Sequence, residues 1–246
     1  MTHLNPDSQG PVRGWITGAT TLLTSSPYAM VTGFKVCDPV EEPARAELNI
    51  VAKAIGTERP TSVASVLMPT LVRDNPAVAN DAIVEGQKLF GRGRRKGIKF
   101  STWRHTYFER ITGAWYDRAG RRNEIKPNSL LEVITKANRW GGNRSSSFYL
   151  HTDLMTDRFK TLGSPCLQYV QFRMHDDDQV SLVALYRSHH FETKALGNFL
   201  GLTDLGKFVA RHTDRQLDRI DVVSLHPFYE TKTRLRNYRD AVSALL

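Results

Sequence analysis

The sequence predicts a single α+β domain over residues 1–246, and three observations carry that expectation. Helical and strand patterns follow one another without strict alternation. Strand-forming segments crowd into the second half, in CLQYVQFRM, VSLVALYRS and RIDVVSLHPFY. No Pro/Gly/Ser-rich tract divides the 246 residues, a length that suits one domain with a substantial core.

The opening MTHLNPDSQG, residues 1–10, is polar and turn-forming and reads as disordered. Gly14 to Val36 mixes β-branched and small residues with Ser and Thr, which predicts a strand or hairpin with a turn near Ser25 to Pro27. EEPARAELNIVAKAIG predicts a helix. Pro43 suits its first turn, apolar residues fall at Leu48, Val51, Ala52 and Ile55, and Gly56 ends it. TSVASVLMPTLV, interrupted by Pro69, predicts a short buried element and a turn. NPAVANDAIVEGQKLFGR predicts a helix capped by Asn75 with Pro76 in the first turn.

The basic run GRGRRKGIKFSTWRH reads as a mobile loop that stays solvated or closes on an anion. SLLEVITKANRW is amphipathic at helical spacing, and GGNRSSSFYLHTD leads from it into a strand. CLQYVQFRM and VSLVALYRS form a hairpin around HDDDQ, whose residues favour turns. ALGNFLGLTDLGKFVARHT predicts a helix with Leu196, Phe199, Leu200, Leu205, Phe208 and Val209 on its apolar side, and RIDVVSLHPFY returns as a strand.

Lys plus Arg number 34 against 25 acidic residues, a formal charge of +9. That excess suits a phosphate ester or a nucleic acid, or is a solvated surface with no ligand. The two cysteines, Cys37 and Cys166, the lack of an apolar run long enough to span a bilayer and the lack of a secretory leader point to a cytoplasmic protein with free thiols. No His pair stands at metal spacing beside either cysteine, so no structural metal is expected.

The residues able to carry chemistry lie mainly between Ser164 and Asn198. Cys166 follows Pro165 at the mouth of a strand, as an inert core thiol or a nucleophile. The hairpin returns Arg187 and Ser188 beside it, where a guanidinium favours the thiolate and can clamp an anion; otherwise Arg187 is a strand-end surface charge. Asn198 caps a helix or reads the edge of a base. His226 bonds a hydroxyl or is a satisfied strand-end histidine.

In order and spacing, Pro-Cys, a hairpin, Leu-Tyr-Arg-Ser, Gly-Asn opening a helix and a strand ending in His resemble thymidylate synthase and the pyrimidine nucleotide hydroxymethylases. HTYFERITG is similar to the family's Tyr-Gly-x-x-Trp-Arg region, SLLEVITKANRWGGNRSS to its helix followed by Asp-Ser-Arg-Arg, and VASVLMPTL to a segment of divergent members. The resemblance covers about Tyr107 to Tyr229, roughly half the chain.

It implies a thymidylate-synthase-like mixed sheet with flanking helices, a homodimer formed through that sheet, and C5 one-carbon transfer on a pyrimidine nucleoside monophosphate. Cys166 would add to C6 of the base. Arg187, Ser188 and Arg144, the last from a second subunit, would bind the phosphate. Asn198 would read the base, an Asn there suggesting uracil; His226 and Tyr229 would bind the sugar hydroxyl, and Tyr107 would support the thiol's network. The one-carbon donor would be 5,10-methylenetetrahydrofolate. Three departures bear on this. His189-His190 stand near the position of the family's Asp and add possible cations, Ser145 stands where the family has a second Arg, and only a short basic tail follows His226 in place of the family's folate-closing tail. The family's acid/base glutamate has one candidate, Glu47, equally readable as an exposed helix charge. The rival expectations are a nucleotide-binding protein without folate chemistry and a nucleic-acid module built on Arg92, Arg94, Arg95, Lys96 and Lys99 with Phe100 and Trp103.

Overall fold

The computed structural model describes residues 2–3, 8–36, 41–100, 105–140, 146–154, 157 and 164–246. The expectations placed on Cys37, Trp103, Arg144 and Ser145 therefore lie outside the described residues.

β1 (Thr2–His3) pairs in parallel with β2 (Met30–Lys35), and α1 (Gly10–Ser25) lies between them. Two expectations change here. Residues 1–10 are not uniformly disordered, since Thr2–His3 is a strand and Gly10 starts a helix. The segment from Gly14 to Val36, expected as a strand or hairpin with a turn near Ser25 to Pro27, is helix as far as Ser25 and a strand only from Met30 to Lys35. Buried Val12, Trp15, Ala19, Leu22 and Leu23 recur at helical steps. The hydroxyls of Thr21, Thr24 and Ser25 donate back to carbonyls one turn earlier, so β-branched and polar residues sit in the helix without orphaned groups.

α2 (Arg45–Ile55) ends as expected at Gly56, whose φ is 77°. α3 (Pro60–Leu67) and α4 (Thr70–Arg73) replace the expected single short element. α5 (Ala79–Arg95) starts later than expected: Asn75 accepts the Ala77 N–H at 2.9 Å and Val78 occupies the cap. Arg92, Arg94 and Arg95 are not loop residues. They form the last turn of α5, where cations face the helix's carbonyl end. Arg94 pairs with buried Glu109, and Phe100 packs edge-on against Phe90 at 4.9 Å. That consumes part of the surface the nucleic-acid expectation requires.

α6 (Tyr107–Thr112), the small hairpin β3 (Ala114–Tyr116) and β4 (Arg122–Glu124), α7 (Ser129–Trp140) and β5 (Tyr149–His151) follow. The hairpin expected around HDDDQ is β6 (Leu167–Met174) and β7 (Gln179–Tyr186). β8 (His189–His190), a π turn (Phe191–Ala195) and α8 (Leu196–His212) carry the chain to β9 (Gln216–Ser224), which lies parallel to β7. β10 (Pro227–Phe228) pairs with β8. The segment read as a basic tail is a helix, α9 (Lys232–Ser243), which packs on α1 and α2 through buried Leu235, Tyr238 and Val242.

The result is a mixed α/β fold with a mixed six-stranded sheet in the order β1-β2-β9-β7-β6-β5, flanked by helices. Alternation turns Val170, Phe172, Leu182, Ala184, Ile220 and Val222 toward α8 and its neighbours. The opposite face carries Tyr169, Gln171, Val183, Leu185 and Val223, half-buried to exposed. Among the described residues no helix is long and apolar enough to cross a membrane.

Candidate functional site

The hairpin sets the first part of the site. Leu167 stands opposite Tyr186, and the register then slips so that Tyr169 opposes Leu185, leaving Gln168 as a bulge. A bulge bends the strand, here two residues after Cys166, at the mouth of β6. The Cys166 carbonyl accepts the Arg187 N–H at 2.9 Å. On the other side Tyr107, at the first position of α6, accepts the N–H of Cys166 at 3.0 Å and of Leu167 at 3.1 Å. Tyr107 is held there by a capping box in which Thr106 and Glu109 exchange bonds. Burial pushes its phenol well above the usual tyrosine range, so it stays neutral and accepts.

α3 and α8 form the second part. Gly197 and Gly201 face α3; a Cβ on Gly197 would come within 2.4 Å of Val63 and 2.7 Å of the Pro60 carbonyl oxygen. Only a glycine allows that approach. It brings Asn198, in the first turn of α8, into a cavity of about 420 Å³ lined by Ser62, Val63, Val66, Tyr107, Cys166 and Ser188 among others.

The cavity thus gathers Cys166, Tyr107, Ser188 and Asn198 from positions far apart in the sequence. Glu47 is not with them. It is exposed on α2, and its Oε2 accepts the Ala44 N–H at 3.1 Å as the helix's own cap. Arg187 is exposed and turned onto the chain: its Nε donates to the Pro165 carbonyl at 3.2 Å and its Nη2 to that of Ser164 at 2.9 Å. It stiffens the Pro-Cys turn at the cavity's edge. His226 is exposed; its carbonyl accepts the His189 N–H at 2.9 Å, and its ring stacks with Phe228, which lines the cavity. Tyr229 is half-buried against the core and does not line it.

One lining carboxylate escaped the sequence reading, and other lining groups named there take a different place. Glu58 is the carboxylate on the cavity wall and pairs with Lys194; Lys99 adds a further cation. A carboxylate beside the turn into an apolar helix was the available signal. The imidazole of His189 is 1% exposed, with Nδ1 2.9 Å from Ser224 Oγ and Nε2 3.1 Å from Asn198 Nδ2. Burial drives its pKa down to about 3, so the cation expected from His189 is absent near neutral pH. His190 shares the wall, stacked on Phe228 at 4.6 Å with Nδ1 2.7 Å from Thr193 Oγ1; burial also lowers its pKa.

Burial raises the Cys166 thiol, and the nearby Arg187 and Lys194 charges partly offset this. The arrangement offers a thiol, an amide, a hydroxyl and a rim of cations around Lys99 and Lys194, enough to seat a planar, hydrogen-bonding anion. No protein-family model matches the chain, and no curated protein matches it.

Proposed function

We propose that the chain is a divergent thymidylate-synthase-type enzyme that binds a pyrimidine nucleoside monophosphate in the cavity between α3, α8 and the Cys166 turn. One observation carries this reading. Cys166, Ser188 and Asn198, singled out by their order in the sequence, line one cavity of nucleotide size together with Tyr107. In this reading Ser188, with Lys99 and Lys194, would take the phosphate and Asn198 the base, all four being residues of the cavity lining.

In the proposed reaction the Cys166 thiolate forms a bond to C6, and the C5–C6 π pair moves onto C5 and O4. C5 would then bond to a one-carbon unit at the formaldehyde level and give its proton to a base, the Sγ–C6 bond breaking to restore the double bond and return the thiolate. Water replacing the donor nitrogen on that carbon would leave a 5-hydroxymethyl product and the freed donor amine, and a 5-methyl product would need a hydride from the donor instead. The thiol's raised pKa means that its proton must leave before attack, which Arg187 and Lys194 favour. Tyr107 holds the backbone at the thiol, and Glu58 is the carboxylate placed to move a proton. Val63, Val66 and Phe100 give an apolar wall suited to the planar ring of 5,10-methylenetetrahydrofolate, which when bound supplies the one-carbon unit. The outer sheet face around Val183 and Tyr149, both exposed, supports a homodimer formed there.

The test is tritium release from C5-labelled UMP, dUMP and dCMP, with and without the folate. Release by the wild type and none by Cys166→Ala is expected; full release by Cys166→Ala would sink the mechanism. A second reading, nucleotide binding without chemistry, is favoured by the raised thiol and by Glu47 standing outside the cavity. It predicts calorimetric binding of these nucleotides with no release under any condition.

A further inference from the structure

His189 is fixed in place on every side. Its ring stacks on Tyr186 at 4.1 Å with 4° between the planes, and Phe191 and Phe199 close in at 5.3 and 5.9 Å. Its two nitrogens meet Ser224 and Asn198. The ring has no room to turn, so the variable left to it is which nitrogen bears the hydrogen.

We propose that Ser224, His189 and Asn198 form a reversible relay that lets Asn198 read both a 4-oxo and a 4-amino pyrimidine, with His189 as the positioning residue that sets which edge is presented. This rests on the pyrimidine reading of the cavity.

A neutral imidazole has one donor and one acceptor, and a serine hydroxyl serves as either. With the hydrogen on Nδ1, His189 donates to Ser224 and accepts an N–H of Asn198. With the hydrogen on Nε2, it donates to the Asn198 carbonyl, the amide having turned over, and Ser224 donates to Nδ1. Both states make the same hydrogen bonds, so little separates them in energy. The proton count is unchanged: one ring nitrogen gives a hydrogen to solvent and the other receives one. Turning the amide exchanges oxygen and nitrogen on its cavity edge. Uracil presents O4 as acceptor beside the N3–H donor, and cytosine presents its N4 amino donor beside the N3 acceptor. Each edge matches one amide orientation and therefore one tautomer of His189. A carboxylate in place of His189 could only accept and would hold the amide one way.

The experiment is ¹⁵N NMR of histidine-labelled protein at neutral pH with UMP or CMP, the His189 signals assigned by their loss in His189→Gln, alongside calorimetry with the same nucleotides. Opposite tautomers with the two nucleotides are expected, and affinities within about tenfold of one another, a free-energy gap near that of a single hydrogen bond. The same tautomer with both, or a preference above about a hundredfold, overturns the relay. Failure of both nucleotides to bind removes the pyrimidine reading and the relay with it, whereas binding of one alone overturns only the relay. Ser224→Ala gives an independent check. An orphaned buried N–H costs more than an orphaned lone pair, so the relative affinity should move by about fivefold or more toward the base that holds the Nε2–H tautomer. An unchanged ratio would also count against the relay.

Discussion

The phenol oxygen of Tyr107 accepts the backbone N–H groups of both Cys166 and Leu167, at 3.0 and 3.1 Å, so one side chain from α6 fixes the backbone on both sides of Cys166. Tyr107→Phe leaves those donors without their acceptor while keeping the ring's volume. A loss of about 1–3 kcal/mol is expected, as for buried groups left unpaired, with a further fall in C5 tritium release. Urea unfolding followed by fluorescence measures the first. Wild-type stability in the variant would show that water replaces the phenol.

The thiol is predicted to react late in a pH titration. Burial raises its pKa and Arg187 lowers it, so removing that charge raises it further. With Cys37 replaced by Ser to leave one thiol, iodoacetamide labelling of Cys166 should have its midpoint above about 8.5, the free-cysteine value. Arg187→Ala should move the midpoint higher. A downward move would mean that Arg187 acts on the turn rather than on the thiolate.

Glu58 and Glu47 are separated by their surroundings. Glu58 lines the cavity, whereas Glu47 caps its own helix. Glu58→Gln is expected to lower tritium release by about a hundredfold or more, the usual effect of losing a general base. Glu47→Gln should leave the rate unchanged and cost less than about 1 kcal/mol in stability. The reverse pattern in a side-by-side assay would return the role to α2.

Stability should depend on pH through His189. The folded-state pKa of about 3 lies below the ordinary 6.5, so under acid conditions the unfolded chain binds a proton that the folded chain refuses. The histidine's contribution is complete above about 6.5 and is lost as pH falls toward about 3, at roughly 1.4 kcal/mol per unit. Denaturant unfolding at pH 7 and pH 5 should show a smaller difference for His189→Gln than for the wild type. Equal differences would remove His189 as a source of acid sensitivity.

Gly197→Val places a branched side chain where even a Cβ meets Val63 at 2.4 Å. Separating α3 from α8 should cost about 1–3 kcal/mol or more and weaken nucleotide binding by displacing one cavity wall. A thermal melt and a calorimetric titration of the same preparation would decide it; two unchanged values would show that the helices separate freely.

The sequence revealed the parts of the fold whose signals are local. The β6–β7 hairpin was legible because turn residues sit between two alternating runs, and α7 because its apolar residues keep helical spacing. α1 was not, since its threonines and glycines read as strand while its period was carried by a few residues led by Val12, Trp15 and Ala19. α9 was hidden by its charge, although Leu235, Tyr238 and Val242 hold its buried side. In the site, the chain order of Cys166, Ser188 and Asn198 was readable, whereas the neutrality of His189 was not. That depends on what surrounds the ring, and Tyr186, Phe199 and Ser224 come from three separate elements. Glu58 was missed for the same reason, because its place on the wall depends on how α3 meets α8.

The π turn of Phe191–Ala195 joins His189 to Asn198 and is anchored at both ends of the fold: Trp15 Nε1 donates to the Phe191 carbonyl at 3.1 Å, and the buried Glu192 carboxylate receives the Glu230 and Thr231 N–H groups. A π turn holds one residue more than the α-helical turn it replaces. Deleting a single residue there would restore ordinary winding and rotate everything after it by about 100°, carrying Asn198 off the cavity wall while α8 itself remained intact. Chain length in this short stretch therefore acts as a gauge for the site: its residue count cannot change without uncoupling the amide from the imidazole.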